Sequence, residues 1–343
     1  MKVLVTGAGG FLGKNVVERL LAHGYTDIRC FLRDRSKAER LSELAESYPE
    51  AQLELLYGNL RSKKECARAV ADVSLVVHLA AGLKGAAAEL FVDSVVVSRN
   101  LLEALEARTN MPIIATRVVL VSSFGVYGVV PLGRRARVDE KTPLEDHPEL
   151  RDAYSHSKLR QEQLFWDYQK NAGFELVVLR PGVIYGPGGG AFSSRVGLQI
   201  GPVFFHLGGR NLLPLSFVVN CAEAIVLAAG HPDAAGQVYN VHDDDLPSAS
   251  RYLREYKKHV KRIRSIRLPY FATRILARLL EAYSRRSKGQ LPGIITRYKV
   301  SAAWGGNRFD NSKLHALGWR PLVTTQDGMR QAFEYLRGQE AKQ

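Results

Sequence analysis

The stretch KVLVTGAGGFLG, Lys2–Gly13, decides the fold. It starts with an apolar run typical of a buried strand, and glycines follow at positions 7, 10 and 13. Gly7 permits a tight turn, Gly10 lets the backbone approach a pyrophosphate, and Gly13 lets the next helix pack closely on the strand. The N-terminus of that helix offers free N–H groups and a positive dipole end. The stretch therefore predicts a strand–turn–helix unit that binds a dinucleotide.

Further apolar runs follow, separated by segments with helical spacing. Such alternation predicts βαβ units and a parallel sheet buried on both faces. We therefore expect an α/β protein with a Rossmann-type doubly wound parallel sheet. The expected strands are Lys2–Thr6, Arg29–Leu32, Leu53–Leu56, Leu75–Leu79, Val118–Val121, Glu175–Leu179 and Gln237–Val241.

The alternation weakens after Arg180, where a glycine-rich loop and an irregular segment follow. A helix at 222–229 and the last expected strand then return to the sheet. We predict a dinucleotide-binding domain over 1–180, with return segments at about 216–243. The remaining segments, 181–215 and 244–343, are predicted to form a smaller, discontinuous and mostly helical substrate-binding lobe.

The composition limits the possible classes of protein. The chain has 343 residues, 46% of them hydrophobic, which is enough for a large core. It has no apolar run that could span a bilayer and no signal-peptide pattern. The cysteines Cys30, Cys66 and Cys221 are widely spaced and include no Cys-x-x-Cys pair. They predict reduced, buried thiols in a cytoplasmic protein, without a disulfide or a metal site.

The formal net charge is +14, and its excess lies in one segment. Residues 251–299 contain fifteen Lys or Arg against only two acids, Glu255 and Glu281. The segment is either a solvated helical face or a surface that contacts an anionic membrane or an anionic substrate. No nucleic-acid-binding motif accompanies it, so no nucleic-acid partner is expected.

The end of the second expected strand bears on the choice of dinucleotide. It reads RCFLRDRS, with Leu32 where an acidic residue would bind the ribose of NAD. Arg33 and Arg35 flank Asp34, and an arginine pair there would accommodate a 2′-phosphate. Two readings compete with this one: Asp34 turned inward, and arginines that are merely exposed. We expect NADP(H) to be favoured over NAD(H).

YSHSK, Tyr154–Lys158, places a phenol and an ammonium one helical turn apart. A tyrosine with an unperturbed pKa near ~10 is a poor base, and a nearby ammonium lowers that pKa. A serine hydroxyl beside the substrate oxygen would stabilise developing negative charge. Ser122 and Ser123 follow the fifth expected strand and are the candidates, although either could simply end a strand.

Several segments together resemble, in order, the extended short-chain dehydrogenase/reductase family, also called the NAD-dependent epimerase/dehydratase family. They are TGAGGFLG (6–13), GNL (58–60), HLAA (78–81), SSFGVYG (122–128), YSHSK (154–158), LRPGVIYGPG (179–188) and FDNSKLHALGW (309–319). The resemblance implies a Ser123–Tyr154–Lys158 triad, with Ser123 four residues before Tyr127 and His156 as a bystander. It also implies a homodimer and a cofactor bound by Gly7, Gly10, Phe11, Leu12, Gly13, Arg33, Asn59, Leu60, Leu79, Ala80, Ala81, Tyr154, Lys158, Pro181 and Val183.

Two substitutions narrow the reaction that the resemblance implies. Phe124 and Gly125 follow Ser123 where sugar dehydratases of the family carry Asp-Glu. Val183 stands where sugar-nucleotide epimerases carry an asparagine that contacts the diphosphate, and the Arg-Pro-Gly-x-x-Tyr-Gly form looks more like the branch of 3β-hydroxysteroid and sterol dehydrogenases and dihydroflavonol reductases.

We therefore expect an NADP(H)-dependent oxidoreductase that interconverts a secondary alcohol and a ketone on a bulky, apolar small molecule. A sugar-nucleotide epimerase stays the alternative, because Arg195, Arg210 and the basic segment could bind phosphates. A dinucleotide-binding scaffold without catalysis is a third reading, which the intact triad disfavours. The segment Leu268–Tyr283, with apolar residues at helical spacing beside arginines, is predicted to be a core-facing helix, a lid over an apolar pocket, or a helix resting on anionic lipid.

Overall fold

The computed structural model describes residues 1–108, 112–286 and 295–342. Residues 287–294 of the basic segment, Lys288 among them, lie outside the described residues. The strands are β1 Val3–Thr6, β2 Asp27–Leu32, β3 Gln52–Tyr57, β4 Leu75–His78, β5 Arg117–Val121, β6 Arg137–Val138, β7 Glu175–Pro181, β8 Val183–Tyr185, β9 Gly197–Ile200, β10 Val203–His206, β11 Leu215–Phe217, β12 Val238–Val241, β13 Ser265–Arg267 and β14 Arg308–Phe309.

The helices alternate with these strands in the first half of the chain and dominate its end. They are α1 Phe11–Ala22, α2 Glu39–Ser47, α3 Lys63–Val70, α4 Ala87–Phe91, α5 Val97–Glu106, α6 Ala153–Ala172, α7 Val218–Gly230, α8 Ala249–His259, α9 Tyr270–Arg286, α10 Arg297–Trp304, α11 Ser312–Ala316 and α12 Thr325–Glu340. A π-helical turn, Val92–Val96, joins α4 to α5.

Seven strands form one parallel sheet in the order β12-β7-β5-β4-β1-β2-β3. From β1 the chain adds β2 and β3 on one side, whereas β4 and the later strands lie on the other side. A crevice opens between β1 and β4, at the carboxyl ends of these strands. All seven strands predicted from the sequence are members of this sheet, which confirms the predicted Rossmann-type fold.

Helices cover both faces of the sheet, and successive side chains of each strand alternate between the two faces. Val3 and Val5 of β1 pack with α1, α2 and α7, whereas Leu4 packs with α3, α5 and α6 on the opposite face. Cys30, Cys66 and Cys221 are buried free thiols in these two layers. Polar side chains and ligands can therefore lie at the carboxyl edge of the sheet, between the two layers.

Apart from α7 and β12, which belong to the main sheet and its layers, the chain after β7 forms smaller elements. A three-stranded sheet has the order β13-β10-β9, and β8 pairs in parallel with β11. The segment predicted to be a loop after the sixth strand is therefore partly a strand, since β7 continues through Pro181 and Val183 begins β8. None of the described helices combines the length and the apolar composition needed to cross a bilayer.

Candidate active site

The glycine turn between β1 and α1 has the geometry that its sequence predicts. Gly7 has a left-handed backbone, φ +70°, and its carbonyl accepts the Gly10 N–H at 2.9 Å. A Cβ atom at Gly13 would lie 2.2 Å from the Gly7 carbonyl oxygen, so only glycine lets α1 pack this closely on the turn. The first turn of α1, with Phe11 and Leu12, therefore directs its N-terminus at the crevice.

A cleft of about 440 Å³ lies beside this turn, between the loops that follow β1, β2, β3 and β4. Its glycine turn and the adjacent helix N-terminus suit a dinucleotide, because N–H groups at a helix N-terminus bind a pyrophosphate. Eight of the predicted cofactor residues line it: Gly7, Gly10, Arg33, Asn59, Leu60, Leu79, Ala80 and Ala81.

Two cations line the cleft at the end of β2. Arg33 is exposed, and its Nη1 lies 3.3 Å from the Asp93 carboxylate. Lys37 is the second cation, and it is not among the residues predicted from the sequence. Asp34 accepts the Ser36 N–H at 2.9 Å and so caps the short helical turn that carries Lys37 to the cleft.

Arg35, the other member of the predicted arginine pair, points elsewhere. Its guanidinium carbon lies 4.6 Å from the centre of the Tyr57 ring, a cation–π contact. The signal that would have separated Arg35 from Lys37 is the Asp34 cap, because a helical turn that starts there places the two side chains on different sides.

Ser123 follows β5 and caps the helical turn Phe124–Val126. Its Oγ accepts the Gly125 N–H at 3.1 Å. A Cβ atom on Gly125 would lie 2.8 Å from Ser155 Oγ, so this glycine lets the first turn of α6 approach Ser123. That turn is fixed by Asp152, which accepts the Ser155 N–H at 2.9 Å.

Tyr154 lies in this first turn of α6, and the structure brings its phenol to Ser123. Burial raises the pKa of Tyr154, whereas a side-chain hydrogen bond with Ser123 lowers it and the Asp152 carboxylate raises it further. The protein by itself therefore holds Tyr154 as the neutral phenol at neutral pH. His156, between Tyr154 and Lys158, packs its ring edge-on against Phe91 with centroids 4.9 Å apart.

Lys158 is buried, with 3% of its surface exposed. Its Nζ donates to the Val121 carbonyl oxygen and to Gln161 Oε1, each at 2.6 Å. Burial lowers the pKa of Lys158 to about 7, and the nearby Glu162 carboxylate opposes this decrease. The effect of Lys158 on Tyr154 stays a prediction, since both of these hydrogen bonds go to other groups.

A buried chain of polar side chains continues from Lys158 to the glycine turn. Gln161 Nε2 donates to Ser98 Oγ at 2.8 Å, and His78 lies between Ser98 and Thr6, 2.9 Å from each hydroxyl. Burial, with a smaller contribution from the Lys158 charge, lowers the pKa of His78 to about 3, so its imidazole is neutral. Helix geometry could have found Gln161, which lies three residues after Lys158.

A second buried group supports the strand that carries the serines. Glu162, four residues after Lys158, pairs with Arg180 of β7 and accepts the Ser122 hydroxyl. Both charged side chains are almost fully buried, so each depends on the other. Ser122, the neighbour of Ser123, is therefore committed to this structural pair.

The remaining predicted residues lie outside the cleft. Pro181 is buried at the end of β7, and the Phe11 ring packs beneath the glycine loop that follows β8. Val183 lines a separate cavity of about 120 Å³ with mixed polar and apolar walls. Those walls are Val183, Ile184, Tyr185, Gly190, Ala191, Phe192, Ser193, Val196, Leu213, Leu215 and Tyr252.

Comparisons with known proteins agree with this geometry. The model of the NAD dependent epimerase/dehydratase family matches residues 3–241. The chain is 26% identical to a decarboxylating sterol-4-alpha-carboxylate 3-dehydrogenase of Candida albicans, over 97% of each protein. It is 28% identical to a 3 beta-hydroxysteroid dehydrogenase/Delta 5→4-isomerase of Mycobacterium tuberculosis, over 97% of this chain and 90% of that protein. The solved structure of a Bacillus cereus UDP-glucuronic acid 4-epimerase in complex with NAD shares the fold, with a TM-score of 0.70, 19% identity and 99% of both chains covered.

Proposed function

We propose that the chain, which belongs to the NAD dependent epimerase/dehydratase family, interconverts a secondary alcohol and a ketone with NADP(H). It is an NAD(P)-dependent enzyme of the extended short-chain dehydrogenase/reductase type, as its family and relatives establish. The observation that carries the proposal is the approach of Tyr154 to Ser123 at the carboxyl edge of the sheet.

The dinucleotide, when bound, supplies or accepts the hydride. The residues of the glycine turn and the cleft would hold it, with its pyrophosphate at the N-terminus of α1. The Tyr154 phenol gives its proton to the carbonyl oxygen in reduction and removes it from the alcohol in oxidation. Ser123 Oγ donates a hydrogen bond to that oxygen, and Lys158, one turn further along α6, favours the phenolate.

The role of Tyr154 as the proton carrier is tested by the substitution Tyr154→Phe. Loss of the phenolic proton should lower kcat about 10²–10⁴-fold and leave NADPH affinity nearly unchanged. Oxidation of NADPH with a panel of ketones is followed by absorbance, and cofactor affinity by fluorescence titration. Unchanged turnover in the variant would remove Tyr154 from the mechanism. If the protein instead changed the configuration of a UDP-sugar without net oxidation or reduction, the epimerase alternative would replace the oxidoreductase proposal.

The preference for NADP(H) is supported by Arg33 and Lys37, which both line the cleft at the end of β2. Asp34 is engaged by the Ser36 N–H, so its carboxylate is held by its own turn. Alanine at position 33 or 37 should weaken NADPH binding about tenfold or more and leave NADH binding unchanged. Arg35→Ala is the matched control, because Arg35 stacks on Tyr57. An equal loss for both cofactors would contradict the assignment.

A bulky apolar substrate is supported by the names of two relatives, a sterol carboxylate dehydrogenase and a 3 beta-hydroxysteroid dehydrogenase. Turnover of hydroxysteroids should therefore exceed that of short secondary alcohols.

Peripheral binding to an anionic membrane is supported by the exposed face of α9. Phe271, Ile275, Leu279 and Tyr283 recur every four residues on this face and are between 57% and 67% exposed. Exposed basic residues accompany them: Arg262, Arg264, Arg267, Arg274, Arg278 and Arg286. The opposite side of α9, with Thr273 and Ala277, is buried. An apolar stripe between arginines fits the interface of an anionic bilayer.

Co-sedimentation with phosphatidylcholine vesicles, with and without 30% phosphatidylglycerol, tests this surface. The protein should bind the anionic vesicles at low salt and leave them as salt is raised. Ile275→Ser with Leu279→Ser should reduce binding, whereas Leu322→Ser, which removes an exposed leucine elsewhere, should not. Equal binding of all variants would refute the role of α9.

The homodimer implied by the resemblance stays a prediction. Sedimentation velocity at several protein concentrations tests it.

A further inference from the structure

Gln161 of α6 is fully buried, and both polar atoms of its amide have partners. Its Oε1 accepts a hydrogen bond from Lys158 Nζ at 2.6 Å. Its Nε2 donates to Ser98 Oγ at 2.8 Å and lies 3.3 Å from the carbonyl oxygens of Ala80 and Ser94. Because Ala80 lines the cleft beside the glycine turn, the amide lies between the Lys158 ammonium and the wall of that cleft.

The hydroxyl and imidazole groups beyond this amide determine its orientation. Thr6 Oγ1 accepts the N–H groups of Leu79 and Ala80 at 3.2 and 3.3 Å. Its own hydrogen is therefore donated to His78 Nδ1, 2.9 Å away. The neutral imidazole then carries its proton on Nε2, which donates to Ser98 Oγ at 2.9 Å. Ser98 Oγ is thus an acceptor on the side of His78.

The hydrogen of the Ser98 hydroxyl is used as well, because Ser98 Oγ donates to the Ser94 carbonyl oxygen at 2.5 Å. Residue 161 must therefore present a donor to Ser98. Toward Lys158 it must present an acceptor, because an ammonium has only donors. Glutamine provides both, whereas a glutamate would place a second anionic oxygen against the Ser94 carbonyl oxygen. The network thus favours a neutral amide at position 161.

The acceptors that hold Lys158 Nζ are two neutral oxygens, the Val121 carbonyl and Gln161 Oε1. In the part of the chain that the structure describes, no carboxylate accepts a hydrogen bond from this ammonium. The charged and titratable groups that face Lys158 or Tyr154 are engaged elsewhere or neutral: Glu162 pairs with Arg180, Asp152 caps α6, and His78 and the Tyr154 phenol are uncharged.

We propose that Gln161 is a positioning residue for the reaction: its neutral amide fixes the Lys158 ammonium beside the cofactor cleft and leaves the positive charge uncompensated, so that it acts on Tyr154. The inference rests on the proposed oxidoreductase function and adds a residue to it. A carboxylate at position 161 would form an ion pair with Lys158 and cancel most of its field at the phenol. An apolar side chain would keep the charge but remove one of the two acceptors that hold it.

The first test measures kcat against pH for the oxidation of a 3β-hydroxysteroid with NADP⁺. In Gln161→Glu, the limb at which the Tyr154–Lys158 pair loses its first proton should move to higher pH by about one unit or more, because the added anion opposes that loss. Gln161→Met should keep the limb and lower kcat by about tenfold. Gln163→Glu, the same substitution at a partly exposed position beside Arg160, is the matched control and should change neither. An unshifted limb in Gln161→Glu would overturn the proposal.

The second test, urea unfolding at pH 7.5 and 9.5, needs no turnover. Because burial lowers the pKa of Lys158 to about 7, the wild type should become more stable relative to Lys158→Met as pH rises through this range. In Gln161→Glu the new carboxylate keeps the folded Lys158 protonated, so less than half of this increase should remain, whereas Gln161→Met should keep it.

An equal increase in the wild type and Gln161→Glu would show that residue 161 does not control the charge of Lys158, and would overturn the proposal. If the enzyme oxidises no hydroxysteroid but Gln161→Glu loses the increase, the oxidoreductase function fails and the placement of Lys158 by Gln161 stands.

Discussion

Replacement of Lys158 by methionine is expected to remove a specific pH dependence of folding. Burial lowers the pKa of Lys158 from 10.5 to about 7, so between these values the unfolded chain holds a proton that the folded protein does not. The free energy of unfolding of the wild type should therefore rise with pH in this range, by about 1.4 kcal/mol per pH unit from this residue. Over the whole interval, the contribution is about 5 kcal/mol.

The measurement is urea unfolding of the wild type and Lys158→Met at pH 6.5, 7.5, 8.5 and 9.5. The variant also loses the hydrogen bonds to Val121 and Gln161, but that loss shifts the difference by a constant. From pH 7.5 to 9.5, the wild type should gain about 3 kcal/mol over the variant. Other titrating groups cancel in this difference. Lys141→Met, which removes an exposed loop lysine, is the matched control. A constant difference for Lys158→Met would show that its ammonium is not desolvated.

Two further substitutions test the supports of the site. Gly13→Ala should destabilise the fold by about 1–3 kcal/mol and weaken NADPH binding, because its Cβ would lie 2.2 Å from the Gly7 carbonyl oxygen. Gly338→Ala, in open space on α12, should instead stabilise the fold by about 0.5–1 kcal/mol. Equal stabilities of the two variants in chemical denaturation would contradict the packing argument. Glu162→Gln should cost about 3–5 kcal/mol because it leaves Arg180 as a buried charge without an anion, whereas Glu334→Gln, in an exposed pair with Arg330, should cost less than about 1 kcal/mol. A small loss for Glu162→Gln would mean that water reaches Arg180.

The local parts of the site could be predicted from the sequence because they depend on short-range geometry. The turn at Gly7–Gly13 follows from a strand, three glycines and a helix within a dozen residues. The relation between Tyr154 and Lys158 follows from one helical turn. The seven strands follow from apolar runs long enough to be buried on both faces of a sheet.

Partners that come from distant segments could not be predicted in this way. Lys158 donates a hydrogen bond to the Val121 carbonyl oxygen, 37 residues earlier in the chain, and no local spacing predicts that partner. Lys37 enters the cleft because Asp34 caps a turn, and Arg35 leaves it for Tyr57. Composition gave no sign of either outcome.

The sequence by itself determined the dinucleotide fold, the position of the glycine turn and the residue types available for proton transfer. Only the tertiary structure decided which charges are paired. Arg180 pairs with Glu162 in the core, Arg35 stacks on the Tyr57 ring, and α9 exposes apolar side chains between arginines. The physical reason is that burial and charge pairing are set by contacts between segments far apart in the chain, whereas turns and helix faces are set by neighbours.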